Sequence, residues 1–330
     1  MLAPKSDSSN EQPAGATDEH PIIVPGVSAR EFRSLMRFFY CLPSAKFSLF
    51  VQENERPISV WSTFVIISDI VRLSNTFHMA DVENWATQRL RTLMQTSMCQ
   101  IATGARTQTG DNVPATFPRI LQHAIAISDT RLEHNIRNFI QYFCTLPKPL
   151  SPRTLLGLLR PVPRKRQEDP IWFGFSFLTL LNLGHNVWKQ KEFTPEDRVA
   201  LLSAQSYLTP LPGSLMEGLT TPLLVRPIYI QGGYLEILGD KTCLQKCRQQ
   251  LSKTWKDVFD TNYYKAITSS EAMKPTTQLG QLPHLRLKFA NSVRESTACE
   301  GDCGSKVLGQ LDADISQLFL RLAGYYQGID

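Results

Sequence analysis

The sequence predicts a mainly helical chain of the α+β class, with short strands set among many helices. Three observations carry that reading. Apolar residues return at i, i+3, i+4 and i+7 in one stretch after another, and several stretches open on a cap residue followed by proline. β-prone runs are short and occur at 22–24, 228–238 and 285–289. Hydrophobic residues make up 42% and charged residues 20% of the 330 positions, a globular balance with length enough for two or three modest domains.

Residues 1–19 hold one lysine and no apolar run, which predicts a disordered lead-in and neither a secretory signal nor a transit peptide. Ile22-Ile23-Val24 reads as a brief strand stopped by a turn at Pro25-Gly26. A helix follows at once, because Ser28 and Glu31 stand at capping-box spacing and Val27 and Phe32 are placed as a hydrophobic staple. Phe32, Leu35, Met36 and Phe39 share one face of it, a candidate apolar surface for a partner. After a polar loop closed by Pro57, a second helix to Leu73 is apolar on nearly every face. Val82, Trp85, Ala86, Leu90 and Leu93 keep the helical period on a third.

This order of residues resembles the second half of a BTB/POZ domain, in the form found in fungal BTB-domain proteins. The likeness runs from the acidic loop ending Asp18-Glu19-His20-Pro21 through Ile22–Val24, Gly26-Val27-Ser28, Glu31-Phe32 and Leu35 to Phe38-Phe39-Tyr40. It continues through Trp61, Phe64, Val65, Ile67, Ile70 and Val71, then Met79-Ala80-Asp81-Val82 and Trp85-Ala86 to Leu90. The resemblance implies a partial BTB/POZ module over residues 20–98, with the opening strand hairpin and helical hairpin of such a domain standing ahead of Met1. In the family those elements supply the dimer interface, so the four-residue apolar face would lack its usual cover and a fragment of residues 1–98 would fold poorly. The implied role is non-catalytic: a scaffold, an oligomerisation unit, a transcription-associated factor or an adaptor of cullin-type ubiquitin ligases, in cytoplasm or nucleus. A protein partner or self-association follows from the same likeness.

Further along, Gly104, Gly110, Pro114 and Pro118 predict a surface loop over 101–118. A helical extension is expected over 119–159: Leu132, Ile136, Phe139, Ile140 and Phe143 form one face, Asp129 marks a cap, and Ser151-Pro152 opens a short Leu-rich helix. Residues 160–170, proline-rich and basic and then acidic, read as a linker, with Arg164-Lys165-Arg166 as either a charged hinge or a nuclear-import patch. The uncharged run Ile171–Val187 is seventeen residues long and contains Asn182, His185 and Asn186, so it is expected as a buried helix and no membrane span.

Within this mostly helical region, 171–330, Thr194-Pro195-Glu196-Asp197 starts another helix. Gly232-Gly233 between β-prone runs predicts a small hairpin over 228–238. Asp240 caps a helix to Phe259 whose stripe is Leu244, Cys247, Leu251, Trp255 and Val258. Leu285, Leu287 and Phe289, alternating with Arg286 and Lys288, read as a half-exposed strand. A last helix over about 306–326 carries Val307, Leu308, Leu311, Ile315, Leu318, Phe319 and Leu322 on one face.

The net charge of +5, from 35 basic and 30 acidic residues, gives no electrostatic case for nucleic acid or a membrane surface. Seven cysteines, an odd number, point to reduced thiols and not to a disulfide framework. The candidate metal ligands are Cys243 and Cys247 with Cys299 and Cys303, a zinc-like set whose three-residue gaps depart from the usual two. Glycine in the 298–303 loop would allow the turn a metal needs, whereas Cys247 on an apolar stripe also reads as a small buried hydrophobe. A zinc-stabilised or nucleic-acid-associated domain is therefore the alternative function, and zinc the one cofactor the sequence suggests. The six histidines are scattered and stand in no catalytic signature, Asp312 and Asp314 point apart, and Gly232-Gly233 lacks a following Lys-Ser or Lys-Thr. No enzyme is expected.

Overall fold

In a computed structural model the described residues are 24–40, 59–107, 112–145, 169–191, 193–226, 244–295 and 303–326. They are helices joined by turns, and no strand occurs among them. The chain divides into two compact units, Met1–Gly104 and Ala105–Asp330, with the boundary inside one helix.

The first unit is built on α1 (Ala29–Tyr40), α2 (Val60–Thr76) and α3 (Ala80–Thr96), with α4 (Met98–Thr107) carrying the boundary. The expected turn ahead of α1 is present: the Val27 amide donates to the Val24 carbonyl at 3.3 Å, and Gly26 takes φ 73°, which proline followed by glycine accommodates. The capping box also forms, the Glu31 amide donating to Ser28 Oγ at 3.3 Å and the Ser28 amide to Glu31 Oε2 at 2.8 Å. α2 is central as expected, burying Trp61, Phe64, Ile67, Ile70, Val71 and Leu73 against α1 and α3. Most of the expected strand at 22–24 lies outside the described residues.

Two sequence expectations about 101–118 are corrected. The stretch is helical wherever it is described, in α4 and in α5 (Asn112–Ala126). Gly104 is a packing residue and not a loop residue, since a Cβ there would lie 2.4 Å from Trp61 Cβ. Pro114 falls in the first turn of α5, where its missing amide has no intrahelical partner to lose, and Pro118 is carried inside the helix.

In the second unit, α5 pairs with α6 (Thr130–Cys144), whose cap is Asp129 as expected, Oδ1 accepting from the Leu132 amide at 3.0 Å. Phe139 and Phe143 stack on each other, and the Phe117 ring packs tilted against both. Residues 169 and 170 are not linker. Asp169 caps α7 (Pro170–Leu181), Pro170 is its first residue, and Arg137 of α6 pairs with the same Asp169 carboxylate. α7 is the buried helix expected from the uncharged run, and among the described residues no helix is long and apolar enough to cross a membrane. Gly184 then turns the chain into α8 (His185–Trp188), and the Thr194 capping box starts α9 (Pro195–Tyr207).

The last helices are α10 (Leu244–Val258), α11 (Thr261–Ile267), α12 (Lys274–Gly280), α13 (Leu282–Glu295) and α14 (Cys303–Ala323). α13 overturns the strand expected at 285–289. The five-residue alternation is the local part of a helical pattern in which Leu282, Phe289 and Ala290 are buried and Lys288 faces out. α14 begins at Cys303, three residues earlier than expected, and buries the foreseen stripe except Leu308, which is half-buried. It crosses α7 so closely that a Cβ on Gly174 would fall 1.7 Å from the Phe319 carbonyl oxygen. The hairpin expected at 228–238, the helix at 151–159 and most of the linker lie outside the described residues.

Candidate functional site

α1 presents two different faces. Glu31, Ser34, Leu35 and Phe38 are buried, while Phe32 is 40%, Phe39 45% and Tyr40 85% exposed. Met36 is half-buried between them. The sequence-derived face of Phe32, Leu35, Met36 and Phe39 therefore divides: Leu35, 1% exposed, belongs to the inner side, and Phe38 joins it, its ring 4.7 Å from Trp85 of α3. At about 100° per residue, Phe32, Met36 and Phe39 fall within about 60° of one another, roughly a third of a turn from the buried face. Hydrophobicity alone placed the stripe, and it missed that two polar residues, Glu31 and Ser34, point inward.

They point inward because α2 offers them partners. Arg72 Nη2 lies 2.6 Å from Glu31 Oε2, and its Nη1 donates to the Gly26 carbonyl at 3.2 Å. Ser34 Oγ donates to Asp69 Oδ2 at 3.0 Å, and Arg30 Nη2 to Asp69 Oδ1 at 3.3 Å. Burial pushes the Asp69 carboxyl up to about 6, against the opposing pull of Arg30, Ser34 and Arg72. Burial also works against ionised Glu31, but the Ser28 amide and hydroxyl and the Arg72 guanidinium outweigh it and hold that carboxyl below its usual range. This clamp fixes α1 and leaves its outer rings in place. The sequence held one signal for it: Asp69 is the sole carboxylate of α2.

The second place where chemistry could gather is a cavity of about 500 Å³ in the second unit, walled by α10, α13 and the first turns of α14. Cys247 and Cys303 both line it, both as thiols, with Thr254, Arg286, Arg294 and Asp312. Cys243 and Cys299, the other two candidate zinc ligands, lie outside the described residues. Among the described residues no three potential ligands meet. Arg286 holds Asp312 through two bonds, Nε to Oδ1 at 2.7 Å and Nη2 to Oδ2 at 2.6 Å. Burial opposes ionisation of Asp312, yet His134 and Arg286 keep its carboxyl below the usual range. Asp314, two residues on, points elsewhere as expected: its Oδ2 accepts from the Thr220 amide at 3.1 Å and the Thr221 hydroxyl at 2.6 Å, pinning that segment to α14.

Trp255, Phe259 and Tyr264 belong to the core of this unit. Trp255 stacks on Phe259 at 4.2 Å and donates Nε1–H to the Tyr264 hydroxyl at 3.0 Å, and that hydroxyl donates to the Pro222 carbonyl at 2.6 Å. Set against known proteins, the chain matches no family model, no curated protein and no solved structure.

Proposed function

We propose that residues 20–98 form a non-catalytic protein-interaction module of the BTB/POZ kind, which docks a protein chain, first of all a second copy of itself, on the outer face of α1. The observation that carries this reading is the exposure of Phe32, Phe39 and Tyr40 along one side of a helix that is capped at its start and clamped to α2 beneath. Rings held on a fixed helix lose little further freedom on binding, and partly exposed aromatic side chains are the usual anchors of protein contacts. The order of one capped helix followed by the α2–α3 pair agrees with the order the resemblance implies. In that reading the chain serves as a scaffold or adaptor in cytoplasm or nucleus, in transcription or ubiquitin ligation.

Light scattering on the full chain tests the proposal. The wild-type protein is expected to assemble as a dimer or larger, and Phe32→Glu with Phe39→Glu is expected to be monomeric while still unfolding cooperatively on heating. A wild-type chain that stays monomeric at every concentration, or a double variant that still assembles, would overturn it.

A further inference from the structure

We propose that the arginine edge of α1 docks an acidic segment of a different protein, its carboxylates lying against Arg33 and Arg37 and its apolar side chains against the neighbouring rings. This rests on the reading of α1 as a docking helix and names the chemistry of a second partner for it. The charged residues of α1 and α2 are Arg30, Glu31, Arg33, Arg37, Asp69 and Arg72. Both carboxylates are buried, Glu31 against Arg72 and Asp69 against Arg30 and Ser34. All three arginines of α1 are exposed. The solvent side of α1 therefore presents cations and no acid.

Those cations are gathered on one side of the exposed rings. At about 100° per residue, Phe39, Phe32, Met36 and Tyr40 span about 100° of the outer surface, and Arg33, Arg37 and Arg30 follow within the next 60° or about that. Arg30 reaches Asp69 at 3.3 Å and still has 45% of its side chain exposed. Among the described residues Arg33 makes no ion pair, so its charge is left for a partner.

The chemistry of this edge selects its occupant. A second copy bringing its own α1 would set arginine against arginine, and like charges facing one another cost binding energy. In a symmetric contact the rings can meet, and the arginine edges then stay at the rim, open to a chain of opposite charge. Phe32 and Phe39 are each more than half covered, so neither stands clear as a platform on which bases stack. Leu35 and Phe38 are buried within the unit, so α1 has no free inner face to lay into a lipid surface. Arginine beside Phe, Tyr and Met is the composition that protein contacts favour.

The test uses the full-length protein and a fluorescein-labelled peptide of glutamate, leucine and phenylalanine, with lysine replacing glutamate in the control peptide. Fluorescence anisotropy is expected to show the acidic peptide binding, more weakly as salt rises, and the lysine peptide not binding. Arg33→Glu with Arg37→Glu is expected to weaken binding at least about ten-fold while assembly, read by light scattering in the same samples, stays as in the parent. Arg33→Glu alone is expected to weaken it in the same direction, which keeps the result readable where the double variant folds badly. An acidic peptide that does not bind, or that binds both variants as tightly as the parent, would overturn the proposal. So would poly-uridylate or phosphatidylserine vesicles held more tightly than the peptide and lost in the same variants, which would assign the edge to RNA or to a membrane. A monomeric parent that binds the acidic peptide supports this partner and overturns only the second-copy reading, whereas an assembling parent that ignores the peptide overturns this partner alone.

Discussion

Asp69 is where burial and charge oppose each other most directly in the first unit. Its side chain is held by Ser34 and Arg30, but only 5% of the residue is exposed, and desolvation wins, raising the carboxyl to about 6. A raised carboxyl means that the folded chain keeps a proton the unfolded chain gives up between about pH 4 and pH 6. The stability from this group is whole below the unfolded pKa and is lost as pH rises through about 6. Asp69→Asn keeps an acceptor for Ser34 and removes the charge. It is expected to be more stable than the parent at pH 7 by on the order of 2–3 kcal/mol, with the difference gone near pH 4. Urea midpoints at the two pH values measure it, and equal midpoints at pH 7 would show that Arg30 compensates in full. Glu31 works in the opposite sense: its lowered carboxyl contributes stability above the ordinary carboxylate range, lost on acidification. The Ser28–Glu31 cap was legible because both partners lie within one turn. The pairing of Glu31 with Arg72 was not, since it joins residues from different helices.

At the level of the helix, glycines that look alike in sequence have opposite roles. Gly174 and Gly309 both sit in helices of the second unit, where alanine would add about 1 kcal/mol of helix propensity. A Cβ at 174 would overlap the Phe319 carbonyl oxygen at 1.7 Å, backbone against backbone, whereas one at 309 meets nothing within 4 Å. Gly174→Ala is therefore expected to destabilise by about 3 kcal/mol or more, because α7 and α14 must separate, and Gly309→Ala to stabilise by about 0.5–1 kcal/mol. Thermal unfolding of the two variants checks both signs, and a neutral Gly174→Ala would mean that α7 and α14 move apart without cost. Caps at Asp129 and Thr194 were readable because cap chemistry is local. The α13 helix was not, because five alternating residues fit a strand as well as one side of a helix. Only the helices packed against it, which bury Leu282, Phe289 and Ala290, decide between them. Gly104 misled for the same reason, its role being set by Trp61, more than forty residues earlier.

For the molecule as a whole, the division at residue 104 raises the question of whether the first unit stands alone. From sequence, four large side chains of α1 were left without cover. At roughly 1.5–3 kcal/mol forgone for each, their sum rivals the 5–15 kcal/mol of a whole domain, which implied a poorly folded fragment. The structure changes that arithmetic. Leu35 is buried within its own unit, Phe38 packs on Trp85, and Met36 is half-covered, so the exposed surface comes down to Phe32 and Phe39, each more than half buried. Their shortfall is roughly 1–3 kcal/mol together, less than the net stability of a small domain. The core of this unit, from Trp61 and Phe64 through Ile67, Ile70, Leu90 and Met94, closes among α1, α2 and α3. A fragment of residues 1–107, which keeps all of α4, is therefore expected to unfold cooperatively on heating and to show well-dispersed methyl signals in one-dimensional NMR. It should also assemble as the full chain does and become monomeric with Phe32→Glu and Phe39→Glu. A fragment with no thermal transition would show that α1 to α3 need the rest of the chain to hold their core. A folded fragment that is monomeric beside an assembling full chain would place the contact beyond residue 107.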